Sequence, residues 1–143
     1  MPPVGRIVVG VDGSEGSRAA LRWAVEEGRL RSAPVEAVLV WSYLDQHRAR
    51  PDDPEFRPDY GEDDARQALA TVVQEAVGDA AGVELVQTTV CDLPARGLLD
   101  AASGADLLVV GARGIGGFKG LLLGSVSQQV VAHAPCAVVI VRA

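Results

Sequence analysis

Short runs of β-branched and aliphatic residues alternate along this chain with longer segments whose apolar residues recur at helical spacing, and no other feature constrains the fold as much. Val4–Val11 (VGRIVVGV) is the first run and stops at Asp12-Gly13-Ser14. From Ser14 to Ser32 the residues Ala20, Leu21, Ala24, Val25 and Leu30 predict a helix, with Ser14 or Asp12 able to cap its opening. Val35–Tyr43 predicts a second strand. Leu44–Gly61 breaks the pattern with three prolines, several charges and few core residues, and is expected to be an exposed excursion. Helical spacing returns over Glu62–Gly78 through Ala65, Leu69, Val72, Val73 and Ala76, followed by a strand at Val83–Val90. A helix over Pro94–Ser103 begins with proline, where the missing N–H costs nothing. Ala105–Val110 reads as a strand, Gly111–Gly124 as a glycine-rich loop, Ser125–Ala134 as a helix and Cys136–Val141 as a last strand.

Val4–Val11, Ala105–Val110 and Cys136–Val141 are apolar on both faces, as strands are in the middle of a parallel sheet covered by helices on both sides. Five strands alternating with four helices predict an α/β fold, a doubly wound parallel sheet, in one domain spanning residues 1–143. Ligands of such folds bind beyond the carboxyl ends of the strands, where the winding reverses. The turns after Val11 and Val110 are therefore the places to look for chemistry.

Composition narrows the function classes. Aliphatic residues must build the core, since hydrophobic residues are 48% of the chain and aromatics only 4%. The formal charge is −6 and no block of Lys and Arg stands out, so the footprint of a nucleic-acid binder is missing. Cys91 and Cys136 have neither metal-ligand nor disulfide-framework spacing, and a small buried thiol is the ordinary expectation for both. No metal site is expected. With no basic-plus-apolar leader at Met1 and no apolar stretch of roughly 18 residues, the chain reads as cytoplasmic and not membrane-bound.

The most informative segment is Gly111–Ser127 (GARGIGGFKGLLLGSVS), with six glycines between Gly111 and Gly124. Glycine admits close approach to the main chain, and a loop of N–H groups leading into a helix N-terminus attracts anions. Ser125 would stand at the helix start, able to cap it or to donate to a phosphate oxygen. The segment is neither a Walker A loop nor a dinucleotide fingerprint, because Lys119 precedes Gly120 and no glycine follows Gly116 at the required spacing.

The spacing Gly111-x2-Gly114-x9-Gly124-Ser125, the opening IVVGVDGS (Ile7–Ser14) and the closing HAPCAVVIV (His133–Val141) together resemble the universal stress protein family over essentially the whole chain. The resemblance implies a Rossmann-like sheet of the adenine nucleotide alpha hydrolase type, with strand order 3-2-1-4-5. It also implies ATP, with Mg2+ as a conceivable companion, lying across the ends of the first and fourth strands. Carried over by position, Gly10, Val11 and Asp12 would contact the adenine or ribose, and Val40 or Trp41 would wall the adenine. Gly111, Ala112, Arg113, Gly114, Ile115, Gly116 and Gly117 would wrap the ribose and phosphates, with Gly124, Ser125 and Val126 completing the cradle. Each has a plainer role open to it: Asp12 as a turn residue, Trp41 as core packing, Arg113 and Lys119 as solvated loop charges. His133, on an apolar helix face, is expected to be structural.

Three functions compete: a stress-response regulator that binds ATP, a slow ATP hydrolase or cyclic-AMP-binding protein, and a ligand-free interaction module. A flavodoxin-like electron carrier is a more distant alternative. Phosphoryl transfer needs a metal site, a base and positive charge on the moving phosphate. Asp12 has no second carboxylate or base beside it in the motif, so no catalytic residue is assigned. The expected partner, besides the adenine nucleotide, is a second copy of the chain paired through the apolar C-terminal strand, which this strand order puts at a sheet edge.

Overall fold

β1 (Ile7–Gly10) is the axis of the molecule, with Ile7, Val8 and Val9 at 0% exposure and a strand hydrogen-bonded along each side. The computed structural model describes residues 5–42, 60–113 and 123–143. β2 (Val35–Trp41), β3 (Leu85–Cys91), β4 (Leu107–Gly111) and β5 (Ala137–Val141) complete a five-stranded sheet of order β3-β2-β1-β4-β5. All pairings are parallel, with Ile7 opposite Val35 on one side and Leu107 on the other.

Connections between parallel strands are right-handed, so reversing the direction of strand addition moves the helices to the other face. The chain adds β2 and β3 on one side of β1, then returns to add β4 and β5 on the other. Accordingly α1 (Glu15–Arg31) and α2 (Glu62–Val77) cover one face, with Ala20, Leu21, Ala24, Val25, Ala65, Leu69, Val72 and Val73 in its core. The shorter α3 (Pro94–Ala101) and α4 (Ser125–His133) cover the other face, over Val8, Val38, Leu108 and Val110.

Local chemistry sets the helix ends. Ser14 caps α1 by accepting from the Ser17 amide at 3.2 Å, Glu15 stands in the first turn, and Arg29 and Arg31 stand in the last. Each charge complements the helix dipole. The Asp64 carboxylate accepts from the Gly61 amide at 2.9 Å at the start of α2. Arginines of α1 fasten the far end of α2: Arg22 donates to the Ala76 carbonyl at 3.2 Å and Arg29 to that of Ala81 at 2.9 Å. Pro94 occupies the opening of α3, as its missing N–H allows.

Three expectations need correction. Cys136–Val141, expected to be covered on both faces because both are apolar, is only half-buried at the sheet edge that the strand order implied. His133 is exposed in the last turn of α4, because the apolar stripe of that helix runs through Val126 and Val130 instead. Cys91 is exposed and Cys136 half-buried, since one ends an edge strand and the other precedes one. The expected excursion at Leu44–Gly61 lies outside the described residues except for its last two, Tyr60 and Gly61. No described helix is long and apolar enough to cross a membrane.

Leu21 carries the contact of α1 with the sheet at 0% exposure. Leu21→Ala should lower unfolding free energy by about 2 to 5 kcal/mol, the usual result of emptying a closed aliphatic site. Urea unfolding checks this, and a change below about 1 kcal/mol would mean that α1 is not held through that site.

Candidate functional site

At the carboxyl ends of β1, β2 and β4 the sheet opens into a cleft of about 280 Å³. It lies at the reversal of winding, because the turns leaving β1 and β4 run to opposite faces and leave a gap between them. Val38, Val40, Val110 and Leu98 make its apolar floor. Val38 and Val40 come from one face of β2, and Leu98 comes from α3. α3 can approach because Gly97 has no side chain, and a Cβ there would sit 2.8 Å from both Val40 methyls. Gly10 is small for a similar reason, since its Cβ would lie 2.9 Å from Leu98 Cδ1.

One wall is the turn from β1 into α1. Asp12 accepts at Oδ1 from the Ser14 amide at 2.9 Å and from the Ser14 hydroxyl at 2.5 Å. That is an Asx-turn, and Gly13 completes it at φ +84°, a conformation that side chains resist. Ser17 locks the turn from inside: its hydroxyl accepts from the Asp12 amide at 3.2 Å and donates to the Ser14 carbonyl at 3.1 Å.

The opposite wall is the exit of β4 together with the opening of α4. The Ala112 amide donates to the Val141 carbonyl at 2.9 Å, and the Gly124 amide donates to the Ala112 carbonyl at 2.7 Å. Ser127 donates its hydroxyl to the Gly111 carbonyl at 2.6 Å. Gly124 is the N-cap of α4 and has no side chain to offer, so among the described residues no side chain caps the first amides of that helix. Ser125, expected to cap, is one position inside the helix and makes no cap bond. Gly124, Ser125, Val126 and Ser127 all border the cleft, so α4 presents uncapped N–H groups and its positive dipole end to it.

Of the residues singled out in the sequence, Gly10, Val11, Asp12, Val40, Gly111, Arg113, Gly124, Ser125 and Val126 line this cleft. Trp41 does not. It projects to the opposite face of the sheet and meets Tyr60 edge to face, ring centroids 5.8 Å apart, because successive strand residues alternate sides. Ala112 is buried behind the β4 exit and is not among the lining residues. Gly114, Ile115, Gly116, Gly117 and Lys119 lie outside the described residues.

The lining also includes Ser14, Ser17, Val38, Pro94, Leu98, Val110 and Ser127, none of which was assigned to the site from sequence. Val38 was within reach, since period two puts it beside Val40. Pro94 and Leu98 left no trace in the sequence, because only the packing of α3 brings them here. Among the described residues no group of three or more His, Cys, Asp or Glu is placed to hold a metal ion.

Residues 3–142 match the family model described as the universal stress protein family. The chain belongs to that family. A universal stress protein of Mycobacterium bovis is 37% identical to it over 144 residues, spanning 99% of this chain and 45% of its own. One from Mycobacterium tuberculosis is 35% identical over 139 residues, spanning 95% and 45%. The chain thus spans about half the length of the curated relatives it matches. Among solved structures, the universal stress protein UspA from Lactobacillus plantarum is 28% identical with a TM-score of 0.76, covering 96% of this chain and 97% of its own. A universal stress protein in complex with cAMP is 26% identical with a TM-score of 0.67, covering 96% of each chain. Another, from Archaeoglobus fulgidus in complex with dAMP, is 26% identical with a TM-score of 0.63, covering 96% and 97%.

The universal stress protein sheet leaves its two thiols in unequal settings. Burial, then the Asp106 carboxylate, push the Cys136 thiol up from its ordinary value, against a smaller opposing effect of Arg6. Raising an acid's pKa keeps it protonated, and a protonated thiol is a poor nucleophile. Iodoacetamide at neutral pH should therefore label exposed Cys91 well before Cys136. Peptide mass spectrometry reads the order, and faster labelling of Cys136 would contradict this account.

Proposed function

We propose that this chain is a cytoplasmic regulator that binds an adenine nucleotide, ATP in particular, in the cleft between the ends of β1 and β4. One observation carries this reading: an apolar floor and an uncapped helix N-terminus face the same cleft. A purine suits the first, and phosphate oxygens suit the second. The cAMP and dAMP complexes of related universal stress proteins support the same ligand class.

In this assignment Val40, Val38 and Leu98 bury the base against Gly10 and Val11. Asp12 stands beside them with a carboxylate that accepts from sugar hydroxyls. Gly111, Arg113, Gly124, Ser125 and Val126 face the phosphates, where the α4 amides donate. Asp12 is the only carboxylate among the described lining residues, so Mg2+ would depend on phosphate oxygens and water for most of its ligands. That donor set favours retention of the nucleotide over its turnover. ATP would act by favouring the conformation that joins the two walls of the cleft.

Calorimetric titration with ATP, AMP and cyclic AMP tests the assignment. Gly124→Val puts a side chain where the phosphates need room and should abolish ATP binding. Asp12→Ala should weaken it by about 1 to 3 kcal/mol, the worth of a charge-assisted bond. Full ATP affinity in both variants would overturn the assignment.

The partner proposed is a second copy, paired antiparallel along β5. The half-buried edge Ala137–Val141 is what supports it: an apolar strand with one side unpaired invites another strand, and a two-fold pair closes on itself. Val139→Pro removes a donor from that strand and should shift sedimentation from dimer towards monomer. Because Val139 also packs against the core, circular dichroism must show that the variant remains folded. A monomeric wild-type chain at micromolar concentration would refute the pairing.

A further inference from the structure

Three polar side chains are buried among the described residues, and all stand at the carboxyl end of the sheet: Ser17, Ser42 and Ser127. Two of them hold the walls of the cleft. Ser17 locks the Asp12–Ser14 turn from α1, and Ser127 holds the Gly111 carbonyl from α4. Between these fastenings the walls approach backbone to backbone. A Cβ at Gly111 would lie 2.6 Å from the Gly16 carbonyl carbon and 2.8 Å from its oxygen. A Cβ at Gly16 would lie 2.7 Å from the Arg113 oxygen.

Neither glycine is required by its conformation, since neither is among the positive-φ residues. Space alone demands them. The obstruction is main chain, which cannot rotate aside as the end of Leu98 could at Gly10. A single added methyl must therefore push the β1–α1 turn and the β4 exit apart. Ser17 and Ser127 transmit that displacement, because each is bonded rigidly to the wall it serves.

We infer that Gly16 is a positioning residue: its backbone contact with Gly111 and Arg113 sets the width of the cleft, and Ser127 extends that setting to the opening of α4. Gly16 touches no ligand in this scheme and acts through the two walls it spaces. The effect on affinity rests on the nucleotide reading above, whereas the coupling of the walls does not.

The test compares Gly16→Ala with Gly28→Ala. The latter makes a similar clash at the far end of α1, where its Cβ would meet Val35 Cγ2 at 2.7 Å and the Ala33 oxygen at 2.9 Å. Amide exchange in the ligand-free protein is followed at Asp12, Ser14 and Ser17 on one wall and at Ala112 and Gly124 on the other, all of which donate hydrogen bonds. Gly16→Ala should speed exchange at both sets together, by about tenfold or more, while Gly28→Ala leaves them at wild-type rates relative to global unfolding. ATP affinity should fall at least about tenfold in Gly16→Ala and hold within about twofold in Gly28→Ala. Faster exchange confined to one wall, or wild-type ATP affinity in Gly16→Ala, overturns the inference. Should Gly16→Ala fail to fold, Ser127→Ala, which adds no atom, takes its place. It should loosen both sets of amides, and an unaffected Asp12–Ser17 wall overturns the coupling. A wild-type chain that binds no adenine nucleotide sinks the nucleotide reading, and the exchange comparison then decides the coupling without it.

Discussion

The backbone contact between Gly16 and Gly111 lets the two halves of a doubly wound sheet meet at the point where the winding reverses. β1 has neighbours on both sides, and the chains leaving β1 and β4 turn to opposite faces. Two diverging segments would leave an open trench. Here α1 crosses close behind β4 because two residues without side chains face each other, and the trench narrows into a cleft with defined walls. The cap at Ser14, the hydroxyl of Ser17 and the hydroxyl of Ser127 all act on groups that this contact has placed.

The same economy of side chains recurs on the other face. Gly97 admits α3 against Val40, and Gly10 leaves room for Leu98, so the floor of the cleft is built by a helix that arrives late in the chain. Apolar floor and polar rim thus come from different elements. β2, α3 and Val110 of β4 supply the aliphatic surface, and the turn at Asp12 and the start of α4 supply donors and one carboxylate. Under the proposed function these surfaces would retain an amphiphilic anion of modest size.

Much of this was legible in the residues. Alternating apolar runs and amphipathic segments led to five parallel strands and their helices, with strand starts displaced by one or two residues at Ala105, Cys136 and Val83, and by three for the first strand, which begins at Ile7. The positions of Asp12 and Gly111 at strand exits followed from the rule that parallel sheets bind at their carboxyl ends, and Gly124 followed from the glycine spacing before the last helix. Burial was less legible. The run Cys136–Val141 is as apolar as β1, yet it stands at an edge, because hydrophobicity reports what a strand can bury and not whether a neighbour exists to bury it. Trp41 was ambiguous for a related reason: period two settles that it opposes Val40, but only the sheet shows which face holds the cleft.

By itself the sequence determined the elements, their order and the turns at which a ligand could be met, because periodicity, capping and glycine spacing act over a few residues. Tertiary structure alone decided that Leu98 and Pro94 join Val38 and Val40 in one floor, and that Ser17 and Ser127 face inward. It alone decided that Gly16 meets Gly111, because these are contacts between segments far apart in the chain. Close packing between such segments depends on the shapes brought together, and no local pattern of residues records them.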